Sequence, residues 1–181
     1  CTERQQEQEI AHLAPYRDAL AARMNAPELT LATGNAVELF EEYILRADKS
    51  RVDALGLIPL HAERFLRLRY NELCLGTYDG MEIVGFKNQL SHSYGDNPHP
   101  FLTMQTGTGI HPAVRAEGYH TAGFFATYLI GPLLPLNPPF AASLIRRMLP
   151  EYVDAPLPYE MEAYRRRVAQ LRDPAVNTRF H

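Results

Sequence analysis

Apolar side chains at Ile10, Leu13, Leu20 and Met24 return on one face of a helix over residues 3–24, and Thr2 and Gln5 stand ahead of them at capping-box spacing. Pro15 lies inside that pattern and should kink the helix or split it in two. The pattern then changes period. Residues 29–32 (LTLA) read as a short buried strand and Thr33-Gly34-Asn35 as a tight junction. In AVELFEEYIL (36–45), Val37, Leu39, Phe40, Tyr43 and Ile44 fit the broad apolar side of a helix.

Further along, residues 47–53 form a polar loop and residues 55–60 return to apolar character. Segments 65–70 and 81–86 carry strand patterning and are joined through the turn-rich GTYDG at 76–80. Residues 91–100 read as a loop, 101–106 as a strand closed by the Gly-Thr-Gly of 107–109, and 123–130 as the long central strand. Asn137 then caps a helix with Pro138 at its first position, running to about residue 148. A last helix spans about 159–171, with Arg165 to Arg167 on a solvated face. Helical and strand segments interleave, which predicts an α/β fold with a largely parallel sheet and a more antiparallel stretch through 64–106. Ligands in such sheets bind at the carboxyl ends of strands, and Thr33 and Ile130 both stand at such ends.

Composition narrows the picture. With 181 residues the expectation is one domain, 1–181, large enough to bury roughly 70% of its unfolded surface, with 150–181 as a helical extension. A net charge of −3 lacks the basic excess of a nucleic-acid binder. Cys1 and Cys74 are far apart and form no CxxC, which suits a reducing compartment and a cytoplasmic location. The most apolar stretch, 123–136, is shorter than the ~20 residues of a membrane span and is broken by Gly131, Pro132 and Pro135. The chain opens at Cys1, which suggests a fragment or a removed upstream segment; a secreted lipoprotein beginning at Cys1 is the rival reading.

The layout around Thr33 is that of a nucleophile elbow, in which a strand hands a side chain to a pocket at the start of a helix. An ordinary strand-to-helix connection, with Gly34 serving turn geometry, has the same appearance. Cys74 reads as a small core residue, and His92, His99, His111 and His120 as surface loop residues spaced too irregularly to argue a metal site. No cofactor is called for.

The strings ERQQEQEI (3–10), EIVGFKNQ (82–89), AEGY (116–119) and ATYLIGPLLPLNP (126–138) occur in this order. In order and spacing they resemble the class I glutamine amidotransferases of the cobyric-acid-synthase-like group, and within it the GatD-type subunits of lipid II isoglutaminyl synthase. That resemblance covers residues 3 to about 149. It implies a three-layer α/β/α, flavodoxin-like domain whose first strands lie upstream of Cys1. It also implies a cysteine at the elbow, a histidine after the later strand, and a Mur-ligase-like synthetase partner that receives the ammonia. This chain departs at both catalytic places. The elbow position is Thr33, or Ala32 with a one-residue shift, and the histidine position is Ile130. Gly34, Asn35, Lys87 and Gln89 would be the rest of a vestigial pocket.

A threonine hydroxyl without a base beside it is a poor nucleophile, and isoleucine takes no proton. The resemblance therefore implies a catalytically degenerate subunit that binds or scaffolds its partner, with Ile130 filling and closing the old site. The alternative is a working amidotransferase subunit in which Thr33 or another residue operates.

Overall fold

The computed structural model describes residues 3–65 and 69–180, with Glu3 and the rest of that range placed in the elements below. The N-terminal helical pattern divides at Pro15, as its position predicts. Helix α1 (Glu3–Leu13) gives way to a 3₁₀ turn (Ala14–Tyr16) and then α2 (Arg17–Met24). Thr2, half of the expected capping box, lies outside the described residues, as do residues 66–68 of the strand expected at 65–70.

The chain continues through β1 (Thr30–Thr33), β2 (Tyr43–Leu45), β3 (Arg51–Asp53), β4 (Leu60–Arg64), β5 (Tyr70–Tyr78), β6 (Met81–Gln89) and β7 (Ser91–Gly95). Then come β8 (Leu102–Thr106), β9 (Ala116–Glu117), β10 (Tyr119–Thr121) and β11 (Phe124–Thr127). Helices α3 (Leu133–Leu136), α4 (Pro138–Met148) and α5 (Pro158–Arg172) follow, and β12 (Arg179–Phe180) returns to the sheet of β5.

The fold is a mixed α/β fold with several sheets, and one expectation needs correction: the sheets are not largely parallel. Among the described residues only β1 with β11 and β2 with β4 run parallel. One sheet has the order β1-β11-β10, a second β3-β2-β4-β7, and a third β12-β5-β8-β9 with β6 on the other side of β5. The third is built on the β5–β6 hairpin, in register from Tyr70↔Gln89 to Tyr78↔Met81. Its tip, Asp79-Gly80, has positive φ at both residues (46° and 73°), as a two-residue hairpin turn of matching twist demands.

The helix expected over 36–45 is also corrected. After Thr33 the chain makes a 3₁₀ turn (Gly34–Leu39) and then enters β2. Val37, Leu39, Phe40 and Ile44 are buried as expected, but by a turn and a strand instead of one helical face. Ile44 packs in the core with Leu60, Ala62, Phe124 and Tyr128, between the first two sheets and α1–α2. A second cluster around Ile83, Phe101, Phe125 and Phe140 fills the space between the third sheet and α4.

Asn137 does not cap α4 through its side chain. It is fully buried, its Nδ2 donating to the carbonyls of Val84 (2.8 Å) and Leu133 (2.7 Å) while its Oδ1 accepts from the Val84 N–H at 2.7 Å. The loop between β11 and α4 is thereby tied to β6.

Candidate functional site

β1 and β11 are in register, Thr33 opposite Thr127, so their carboxyl ends coincide. Two residues past Tyr128, Ile130 is fastened to β6 by a pair of backbone bonds with Phe86 (2.8 and 3.2 Å). β6 can approach because Gly85 has no side chain: a Cβ there would stand 2.6 Å from Leu129. On the other side, β1 turns at Gly34 with φ +64°, and a Cβ on Gly34 would lie 3.1 Å from Cγ2 of Ile130. The elbow and the end of the central strand therefore meet.

They meet at a cleft of about 760 Å³. Thr33, Gly34, Asn35 and Ile130 form one wall, and Asn88, Gln89, Leu90 and Ser91 come from the end of β6 and the start of β7. α1 adds Arg4 and Gln6, and Glu38, Arg64, Arg69 and Tyr128 complete the lining. Ile130 is half-buried and does not fill this space, so the expected closure of the site is corrected: the cleft is open.

Of the expected pocket residues, Gly34, Asn35 and Gln89 line the cleft with Thr33 and Ile130, but Lys87 does not reach it. Its fully buried ammonium donates to the carbonyls of Thr108 and Gly109, both at 2.8 Å, and lies 3.7 Å from the Glu117 carboxylate.

Sequence reading missed the polar floor of the cleft. Gln6 is almost fully buried, and its Nε2 donates to the Asn35 carbonyl (2.7 Å) and to Glu38 Oε2 (2.9 Å). The Arg64 guanidinium donates to Gln6 Oε1 at 2.5 Å and to Glu7 Oε1 at 3.1 Å. Glu7 also receives Arg46 in bidentate fashion (2.9 and 2.8 Å), and chiefly for that reason its carboxyl is held down at about 2. The signal was present in the ERQQ string, where Gln6 follows Gln5.

Glu38 accepts hydrogen bonds from the hydroxyl of Ser91 and, at 3.5 Å, from that of Tyr128. Burial pushes its carboxyl above the usual range against the opposing pull of Ser91 and Gln6. Behind it, Ser93 Oγ bonds both Glu41 Oε1 (2.5 Å) and the Tyr128 hydroxyl (2.7 Å). Among the described residues Glu41 Oε2 has no partner, and burial raises this carboxyl to about 8.

Among the described residues no sulfur and no imidazole lines the cleft. Cys74 is fully buried in β5, and burial pushes its thiol far up. His92 is not on a surface loop: it is buried in β7, facing Phe65 and Tyr70 on the side opposite Ser91 and Ser93, and burial lowers it to about 4. His120 sits in β10 opposite Phe125, near the amino end of β11 and away from Ile130. Among the described residues no three His, Cys, Asp or Glu side chains converge on a possible metal position, and no helix is long and apolar enough to cross a membrane.

This frame can be set beside known proteins. No family model matches the chain. It is similar to the lipid II isoglutaminyl synthase (glutamine-hydrolyzing) subunit GatD of Staphylococcus aureus (strain N315), 29% identical over 126 residues. The match covers 68% of this chain and 49% of that relative, so the chain accounts for about half of the relative's length.

Proposed function

We propose that the chain is a glutamine amidotransferase-like subunit of the three-layer α/β/α class that no longer hydrolyses glutamine and instead binds or scaffolds a Mur-ligase-like synthetase in the cytoplasm, in cell-wall precursor amidation or a related pathway. The observation that carries this reading is the meeting of Thr33 and Ile130 at one cleft, without a thiol or an imidazole among the described lining residues. These are the places where the resembled family has its cysteine and histidine. The similarity to the GatD subunit supports the class.

The strings that carry the resemblance support it in a second way, because each braces the cleft. Gly85 admits Leu129, Asn137 ties the following loop to β6, and Glu117 holds the Tyr128 N–H at 2.8 Å. The frame is kept while the reacting groups differ. In a hydrolase, loss of nucleophile or base lowers turnover on the order of 10⁶-fold.

A glutaminase assay of the full-length protein, alone and with a Mur-ligase-like partner, should give ammonia at background. Steady release above background overturns the reading in favour of a working subunit. Thr33→Cys with Ile130→His should restore weak activity at best, since productive geometry must be held within about 0.5 Å by supporting residues, and Lys87 supports a different cluster.

A further inference from the structure

We propose that the cleft binds a small, multiply charged anion through phosphate or carboxylate oxygens gripped by Arg4, Arg64 and Arg69. The chain carries a net charge of −3, yet among the described residues these three arginines face the cleft against one acid, Glu38. Local charge opposite to the global charge marks a site that attracts anions.

Convergence on one cleft is what is unusual here. Arg46, Arg51, Arg146, Arg166, Arg172 and Arg179 each stand within ion-pair distance of a carboxylate, and Arg23, Arg115, Arg147, Arg165 and Arg167, which have no such pair among the described residues, do not line the cleft. Arg4 and Arg69 are exposed at the cleft and have no such partner among the described residues. Arg64 differs again: it is 5% exposed and fixed from behind by Gln6 and Glu7, so its guanidinium is held in place at the cleft wall. A fixed guanidinium flanked by two unpaired ones suits oxyanions, because its planar fork presents paired donors.

The single acid is poorly placed to repel a ligand. Both oxygens of Glu38 are already occupied by Gln6 and Ser91, and burial favours its neutral form. Leu90 and Ile130 give the uncharged body of a ligand an apolar wall, and the volume lies within the range of small-molecule sites.

The inference takes from the proposed function only that the cleft binds and does not react. Glutaminase activity would sink that reading, whereas the titrations below address this one. Calorimetric titration of the full-length protein at fixed ionic strength, with pyrophosphate, citrate and L-glutamine as separate probes, should show saturable binding of pyrophosphate, citrate or both. Which of the two binds identifies the phosphate or the carboxylate source, and L-glutamine, without net charge, should bind at least about tenfold more weakly. Arg4→Gln and Arg69→Gln, both at exposed positions, should each weaken anion binding about tenfold. The proposal is overturned if neither anion saturates by about 10 mM. It is equally overturned if binding survives the double substitution, or if L-glutamine binds as tightly.

Discussion

Tyr128 separates two ionic clusters that use similar ingredients to different ends. Its backbone N–H binds Glu117, whose other oxygen accepts from the Thr127 hydroxyl (2.7 Å) and whose charge faces Lys87. Its hydroxyl points the other way, to Ser93 and Glu38. On the first side both charged side chains are fully buried, and Lys87 finds two carbonyls besides the carboxylate. On the second side the network ends in open space lined by Arg64, which Glu7 and Gln6 hold from behind, and by Arg4 and Arg69, which have no carboxylate partner among the described residues. Satisfied and sealed, a charge cluster is architecture; satisfied from behind and open in front, it can take a ligand.

The sharpest way to break this comparison is to remove one charge from the sealed side. Lys87→Met leaves Glu117 without its cation and the Thr108 and Gly109 carbonyls without their donor. Stripping one partner from a buried pair costs about 3–5 kcal/mol. Urea denaturation should show a loss of that size, while Arg69→Gln on the open side should stay within about 0.5 kcal/mol of the parent. A Lys87→Met loss below about 1 kcal/mol would mean that the sealed cluster is not a lock.

pH separates the clusters next. Glu41 lies behind the open side, and burial raises its carboxyl from 4.5 to about 8 against the opposing pull of the Ser93 hydrogen bond. Below pH 4.5 it is protonated folded or unfolded, and stability is undiminished. As pH rises from there to about 8 the unfolded chain releases a proton that the folded chain keeps, so stability falls. Above that the loss is complete. Glu41→Gln should flatten this decline while keeping an acceptor for Ser93. Melting temperatures of parent and variant that run parallel from pH 5 to pH 8 would show that Glu41 is ionised in the folded protein.

What the sequence made legible follows the same division. Elements fixed by local chemistry were readable: the break at Pro15, a turn before residue 81 (though 76–78 of the expected turn 76–80 belong to β5), the strand ending at Thr33, and α4 starting at Pro138. The meeting of Thr33 with Ile130 was readable because two strand ends in one parallel pair must share an edge. Where tertiary pairing decides, local pattern misled. Val37, Phe40 and Ile44 satisfy a helical period, but parallel pairing of Ile44 with Ala62 draws the segment into β2. Lys87 and Glu117 are thirty positions apart, and nothing local says that a lysine in a strand will be enclosed. Gln6 and Glu38 were hidden for a related reason: each lies in a polar-looking run, and only the fold turns both inward.

The smallest expected effects contrast two glycines, one at each cluster. Gly34 on the open side and Gly118 on the sealed side both have positive φ, +64° and +67°. A side chain costs roughly 1–2 kcal/mol in that conformation at either place. The neighbours then differ. At Gly34 a Cβ would meet the Ile130 side chain at 3.1 Å, which can yield by a few tenths of an ångström toward the cleft. At Gly118 it would meet the Ala126 carbonyl oxygen at 2.2 Å, backbone that is held in the β10–β11 ladder. Gly34→Ala should therefore lose about 1–2 kcal/mol and Gly118→Ala distinctly more, both read from chemical denaturation. Adding Ile130→Ala to Gly34→Ala should cost less than the two single losses combined, because the contact between them is already gone. Strict additivity would place Ile130 away from the elbow, and equal losses at the two glycines would remove the difference in rigidity between the open and the sealed side.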